Sequence, residues 1–142
     1  MIGIDHNFLR LVATDVRFFL EDQWPIWHHR RGRSQPMPLS RGTCQTSSLF
    51  LSEALRDHNL NGVVRQGNSP GKAEGFLHKG SWIGHAWVEI SGFVVDITGD
   101  QFDLPTVSIE PIEMGRYREG FDTASDAAKA RRRELVIESR LD

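Results

Sequence analysis

Three residues of this chain have the types and setting that thiol-based acyl transfer requires: Cys44, His85 and Asp96. Cys44 is the only cysteine. It follows Gly42-Thr43 and opens a run, 44–58, in which Cys44, Ser48, Leu51 and Leu55 fall on one helical stripe. The attacking species in thiol chemistry is the thiolate. A helix start favours that anion, because the first N–H groups have no intrahelical partner and carry partial positive charge. The N–H of Cys44 is also a candidate oxyanion donor.

His85 and Asp96 lie in the strongest strand signal of the chain, His85–Ile90 followed by Ser91-Gly92 and then residues 93–98. Two extended runs separated by two residues ending in Gly predict a hairpin. Pairing across the turn sets Ile90 opposite Phe93, Val88 opposite Val95, Trp87 opposite Asp96, and His85 opposite Thr98. Strand side chains alternate between faces. His85, Trp87 and Glu89 then share a face with Val94, Asp96 and Thr98. Ala86, Val88, Ile90, Phe93, Val95 and Ile97 form the other, wholly apolar face, which must be core. His85 and Asp96 become diagonal neighbours within side-chain reach. A carboxylate placed there orients an imidazole and stabilises its protonated form. The imidazole in turn activates a thiol.

The elements that must hold these residues read as follows. Residues 5–23 predict a helix, capped by Asp5 and stopped by Pro25, with Phe8, Leu9, Val12, Val16, Phe19 and Leu20 at helical period. Residues 24–43 predict a loop carrying the basic cluster His28-His29-Arg30-Arg31-Gly32-Arg33, a solvated stretch or a nucleic-acid patch. Residues 61–66 predict a strand, and 67–83 a glycine-rich loop leading into His85, either a lid or a surface insertion. Another strand is expected around Val107–Ile109, and a helix over 123–138 capped by Thr123 or Ser125. The 142 residues suit one domain spanning 1–142.

The segments RGTCQTSSLFLSEAL and GHAWVEISGFVVDIT resemble the transglutaminase-like branch of the papain-like cysteine protease superfamily. The likeness covers residues 42–100, and the His-Ala-Trp-Val-Glu run is its more specific part. It implies an α+β papain-like fold, N-terminal helices with the nucleophile helix packed on an antiparallel sheet. It also implies Cys44 as nucleophile, His85 as base and Asp96 as orienter, working through a thioester. Two positions depart from the pattern: Gln45 stands where animal-type transglutaminases place Trp, and Gln35 is the nearest counterpart of an oxyanion glutamine, at longer spacing. No calcium-loop motif is present.

Around the triad, Trp82 and Trp87 bracket the histidine and are candidates to line a substrate groove, or else to cap the core edge. Gln101 is a candidate site contact, and Thr98 an alternative orienter. His6, His28, His29, His58 and His78 make no spaced ligand set with Cys44, so neither metal nor cofactor is expected. A formal net charge of −2 gives no global pull toward nucleic acid or anionic lipid. A lone cysteine forms no internal disulfide and fits a reducing compartment. No signal-peptide h-region or bilayer-length apolar run is visible, so a cytoplasmic location is expected. The expected activity is a cysteine peptidase or amidase acting on a protein or peptide substrate. A glutamine deamidase or transglutaminase, a carrier-thioester acyltransferase, and a non-catalytic binding module remain alternatives, and oligomeric state stays open.

Overall fold

The computed structural model describes residues 4–68, 71–120 and 124–141. Helix α1 spans His6–Arg30. The Asp5 carboxylate caps it, accepting from the N–H groups of Asn7 and Phe8 at 2.9 and 3.2 Å. Pro25 lies inside the helix and does not end it. Proline has no N–H to donate to the carbonyl one turn back, that of Glu21, and Glu21 is an exposed residue. Beyond Pro25, Trp27 and His28 continue the buried stripe begun by Leu9, Val12, Val16, Leu20 and Trp24. Burying Trp24 and Trp27 stabilises by roughly 2–3 kcal/mol each, which offsets the roughly 3 kcal/mol of an interior proline. The basic cluster 28–33 therefore forms a helix end rather than a loop, and His28 is buried with its Nε2 2.8 Å from the Leu39 carbonyl.

Helix α2 spans Cys44–Asp57, with Cys44 as its first residue, as expected. The approach to it is held by a buried relay of hydroxyls. Trp24 Nε1 donates to Ser47 Oγ (2.9 Å), Ser47 to Thr43 Oγ1 (3.0 Å), and Thr43 to the Ser40 carbonyl (2.7 Å).

Strands β1 (Val63–Gly67), β4 (His85–Ile90), β5 (Phe93–Asp96) and β6 (Ser108–Pro111) form an antiparallel sheet in the order β1-β4-β5-β6. The β4–β5 register is the predicted one over Ile90–Phe93, Glu89–Val94 and Val88–Val95. Ser91 and Gly92 both have positive φ, 50° and 83°, as a two-residue hairpin turn demands. Strand β5 ends at Asp96, two residues short of expectation. The chain bends through Ile97 and Thr98 into a 3₁₀ turn, Gly99–Phe102, so Thr98 makes no strand pair opposite His85.

The stretch expected as a loop, 67–83, instead contains two strands, β2 (Gly75–His78) and β3 (Ser81–Ile83); residues 69 and 70 lie outside the described set. Lys79 and Gly80, at φ 50° and 80°, make the turn between them. With β7 (Tyr117–Arg118) they form a second sheet in the order β3-β2-β7. Helix α3 (Asp126–Arg140) starts at Ser125, which accepts from the Ala128 N–H; the alternative cap, Thr123, lies outside the described residues.

The fold is thus α+β with antiparallel sheets. Helix α2 packs on β4 and β1 and touches α1 and α3. The apolar face of the hairpin (Val88, Ile90, Val95, Ile97) lies against Leu9, Leu20, Trp24, Leu51, Leu55 and Leu135. The opposite face is also buried: Trp87 and Val94 pack with Phe76, Phe102 and Tyr117 around the second sheet. Where the sheets meet, a Cβ on Gly67 would sit 2.3 Å from the Gly75 nitrogen, so only glycine admits this approach. No described helix is long and apolar enough to cross a membrane.

One polar node ties three segments together. Buried Arg17 on α1 donates to both carboxylate oxygens of Asp100 (2.9 and 3.1 Å) and to the Ile97 carbonyl (2.9 Å). Ser40, four residues before Cys44, donates to the same carboxylate at 2.6 Å. These contacts hold the Asp100 carboxyl below its ordinary pKa, against a burial effect that would raise it. Replacing Arg17 by Met strands Asp100 and is expected to cost roughly 3 kcal/mol of stability. A lowered urea midpoint at unchanged slope checks this; an unchanged midpoint refutes the node.

Candidate active site

His85 opens β4, where Gly67 of β1 stands opposite it. Asp96 closes β5. Alternation along the strands turns both side chains to the face covered by the second sheet, and both are buried, at 2% and 1% exposure. His85 Nε2 lies 2.7 Å from Asp96 Oδ2. The same oxygen accepts from the Tyr117 hydroxyl at 2.8 Å. Oδ1 accepts from the Thr98 N–H at 3.0 Å and faces the Thr98 hydroxyl at 3.4 Å. The carboxylate is therefore fixed on both oxygens.

Rings enclose the imidazole. Phe102 meets it edge-on with centroids 4.9 Å apart, and Phe76, Trp87 and Tyr117 stand 6.2–6.3 Å away. This shell excludes water and strengthens charge interactions inside it. Burial alone would lower the His85 pKa. The Asp96 carboxylate overrides that through its charge and hydrogen bond, Cys44 adds to it, and the imidazole is raised from 6.5 to about 10. For Asp96, burial would raise the pKa, but His85, the Thr98 N–H and the Tyr117 hydroxyl bring it below the ordinary value. The imidazolium form therefore holds through neutral pH.

The second ring nitrogen, Nδ1, is buried with no hydrogen-bond partner. Such a group in a native interior calls for an explanation. Cys44, half-buried at the start of α2, is near enough to raise the His85 pKa by hydrogen bonding and charge. The two do not meet at hydrogen-bonding geometry. With Nε2 engaged by Asp96, Nδ1 is the nitrogen left for the thiol.

The other predicted site residues divide. Thr98 does bear on the pair, but as a donor to Asp96, and it is 1% exposed, so it is no substrate contact. Trp87 is fully buried and walls the imidazole; a groove-lining role does not fit it. Trp82 lies half-buried on β3 with the Arg118 guanidinium 4.9 Å over its ring. Gln101 donates to the Thr98 carbonyl at 2.9 Å and so braces the turn after Asp96. Gln35 is exposed and donates to the Pro25 carbonyl at 3.1 Å, so its amide is committed away from an oxyanion role. Gln45, next to Cys44, donates to Gln66 Oε1 at 3.0 Å. Among the described residues no group of three or more His, Cys, Asp or Glu is placed to hold a metal. Tyr117, Phe76, Phe102 and the Ser40–Asp100–Arg17 node were not found by sequence reasoning. Their roles arise from the second sheet and from contacts between distant segments, which leave no local pattern.

No protein-family model matches the chain, and no curated protein or solved structure matches it either.

Asp96→Asn removes the charge that does most to hold His85 protonated and leaves burial opposed only by Cys44. The His85 titration, followed by NMR of its ring, is expected to fall well below about 10, toward its ordinary value of about 6.5. The stability that the raised pKa confers is fully present below about 6.5 and lost as pH rises through about 10. The stability gap between wild type and Asp96→Asn should therefore close across that interval. A gap that widens with rising pH would contradict the assignment.

Proposed function

We propose that this chain is a cysteine-nucleophile acyl-transfer enzyme of the transglutaminase-like, papain-like kind, a single domain acting on a protein, peptide or glutamine amide. The observation that carries the reading is the buried His85–Asp96 pair, whose remaining ring nitrogen is unpartnered and whose neighbour is the chain's one cysteine. A structural His–Asp pair has no need of a cysteine at a helix start.

In this reading the Cys44 thiolate attacks the amide carbonyl carbon, forming a C–S bond and moving the carbonyl electron pair to oxygen. The N–H of Cys44, at the positive end of α2, is the donor best placed for that oxyanion. The His85 imidazolium gives its Nδ1 proton to the leaving nitrogen as the C–N bond breaks, leaving a thioester. Water or an amine then attacks the thioester. Neutral Nδ1 takes the proton of the attacker, and Cys44 departs as thiolate while His85 returns to imidazolium. Asp96 holds the ring through Nε2 and stabilises its charge throughout. Thr98 and Tyr117 keep Asp96 ionised and still. A peptidase, a deamidase and a transglutaminase share these steps and differ in the amide and the attacker.

The test is the reactivity of the thiol. Alkylation of Cys44 by iodoacetamide at pH 6 is expected to slow by about tenfold or more in His85→Ala, since an unassisted thiol is mostly protonated there. Incubation with peptide and glutamine-amide panels should leave an acyl adduct on Cys44, read by mass, that is absent in Cys44→Ser. Equal alkylation rates in wild type and His85→Ala would remove the triad.

A further inference from the structure

The chain is slightly acidic overall, with a formal net charge of −2, yet seven of its 17 lysines and arginines gather in two stretches that meet at one groove. Arg30 and Arg31 end α1, with Arg33 just beyond. Lys129, Arg131, Arg132 and Arg133 lie in the first half of α3. Between them runs a groove of about 610 Å³ lined by Arg30, Arg31, Arg33, Gln45, Arg131 and Arg132. A second, of about 200 Å³, continues past Gln45 to Val64, Gln66 and Lys129. Gln45, the residue after Cys44, borders both. Gln66 stands opposite Ala86, the residue after His85. The groove therefore passes the residue next to the thiol and leads toward the strand β1 that pairs with the histidine strand, and its Arg31 is near enough to Cys44 to feel its charge.

Arg30 is paired with Glu138. Among the described residues, Arg31, Arg33 and Arg131 meet no carboxylate at ion-pair distance. Burial, and then the like charges of Arg33, Arg132 and Arg131, hold the half-buried Arg31 guanidinium below its ordinary pKa, while Cys44 acts the other way. The helices thus hold cations against one another, a repulsion that an incoming anion relieves.

We infer that this groove binds an acidic stretch of polypeptide and presents an amide beside it to Cys44. The inference rests on the acyl-transfer reading and adds a substrate class to it. A peptide is favoured over a nucleic acid on two counts. The lining is arginine, lysine, glutamine and small or aliphatic residues, without an aromatic ring on which bases would stack. The groove also borders Gln45, the residue after a thiol whose proposed chemistry is with acyl carbonyls.

The test uses the full chain carrying Cys44→Ser, so that binding is read without turnover. Two fluorescein-labelled peptides of equal length are compared, each with one central glutamine flanked by glutamates or by serines. Fluorescence anisotropy is expected to give the glutamate peptide about tenfold tighter binding or more at low salt. The preference should vanish at about 0.5 M NaCl. It should fall several-fold in Arg131→Ala, an exposed position with little bearing on folding, and in Arg31→Gln. Equal affinity for the two peptides overturns the proposal. So does tight binding of single-stranded oligothymidylate without binding of the glutamate peptide, which marks a nucleic-acid interface instead. Failure of the groove and failure of the thiol reading are separable. Acyl-adduct formation on wild-type Cys44 that is indifferent to acidic flanks removes the groove and leaves the chemistry. Glutamate-peptide binding with Cys44 no more reactive in wild type than in His85→Ala leaves the groove and removes the chemistry.

Discussion

A charged hydrogen bond closed off from water, His85 to Asp96, is the constraint around which the chain is arranged. Two ionisable groups at 2% exposure or less are unfavourable in a protein interior unless their geometry is close to ideal and every remaining lone pair is answered. Each surrounding element contributes to meeting that condition. The hairpin sets the diagonal spacing. The bend after Asp96 brings the Thr98 N–H back onto Oδ1, and β7 delivers the Tyr117 hydroxyl to Oδ2. Phe76 and Phe102 close the space over the imidazole. One atom is left out of this scheme, Nδ1 of the histidine, on the side where the cysteine helix begins. Stability would be better served by a partner for it, and local rules that fail in this way tend to fail at functional positions.

The two sheets divide the labour. The four-stranded sheet carries the helices on one face and fixes where α2 starts. The small sheet contributes Phe76 and Tyr117 to a second core and covers the opposite face. Its presence converts what would otherwise be a solvated His–Asp pair, weak and screened, into a dry one. The close glycine approach at Gly67 and Gly75 lets the cover reach the start of β4 without a side chain intervening.

The parts of this arrangement that depend on neighbours in sequence were legible in it. Alternation in 85–90 and 93–96, with a Ser-Gly turn between, sufficed to give the register and so the His85–Asp96 adjacency. Helical spacing from Cys44 gave α2 to within one residue of its end. Pro25 misled because the backbone rule for proline is local, whereas the burial of Trp24 and Trp27 that overrides it is tertiary. The strands in 67–83 were hidden by glycine content, although Lys79-Gly80 between Phe76–His78 and Ser81–Ile83 carries the same turn logic as Ser91-Gly92. Since that sheet went unseen, the sequence could not separate the two readings of Trp87, groove wall or core edge; the second sheet buries it. Tyr117 had no signal at all: it is the chain's single tyrosine, in a two-residue strand whose meaning comes from what it pairs with.

The spacing of the three residues along the chain has a consequence for timing. His85 and Asp96 belong to one tight hairpin, whose ends meet at small entropic cost, while Cys44 must be brought in across three intervening strands and held by the hydroxyl relay from Trp24 and the carboxylate that Ser40 and Arg17 share. Contacts between distant segments carry the larger loop-closure cost and come with the completed fold. The thiol thus meets its base only when α1, α2 and both sheets are in place. On the proposed reading, a half-made or locally opened chain carries a base without its nucleophile, and the fold itself acts as the safety catch.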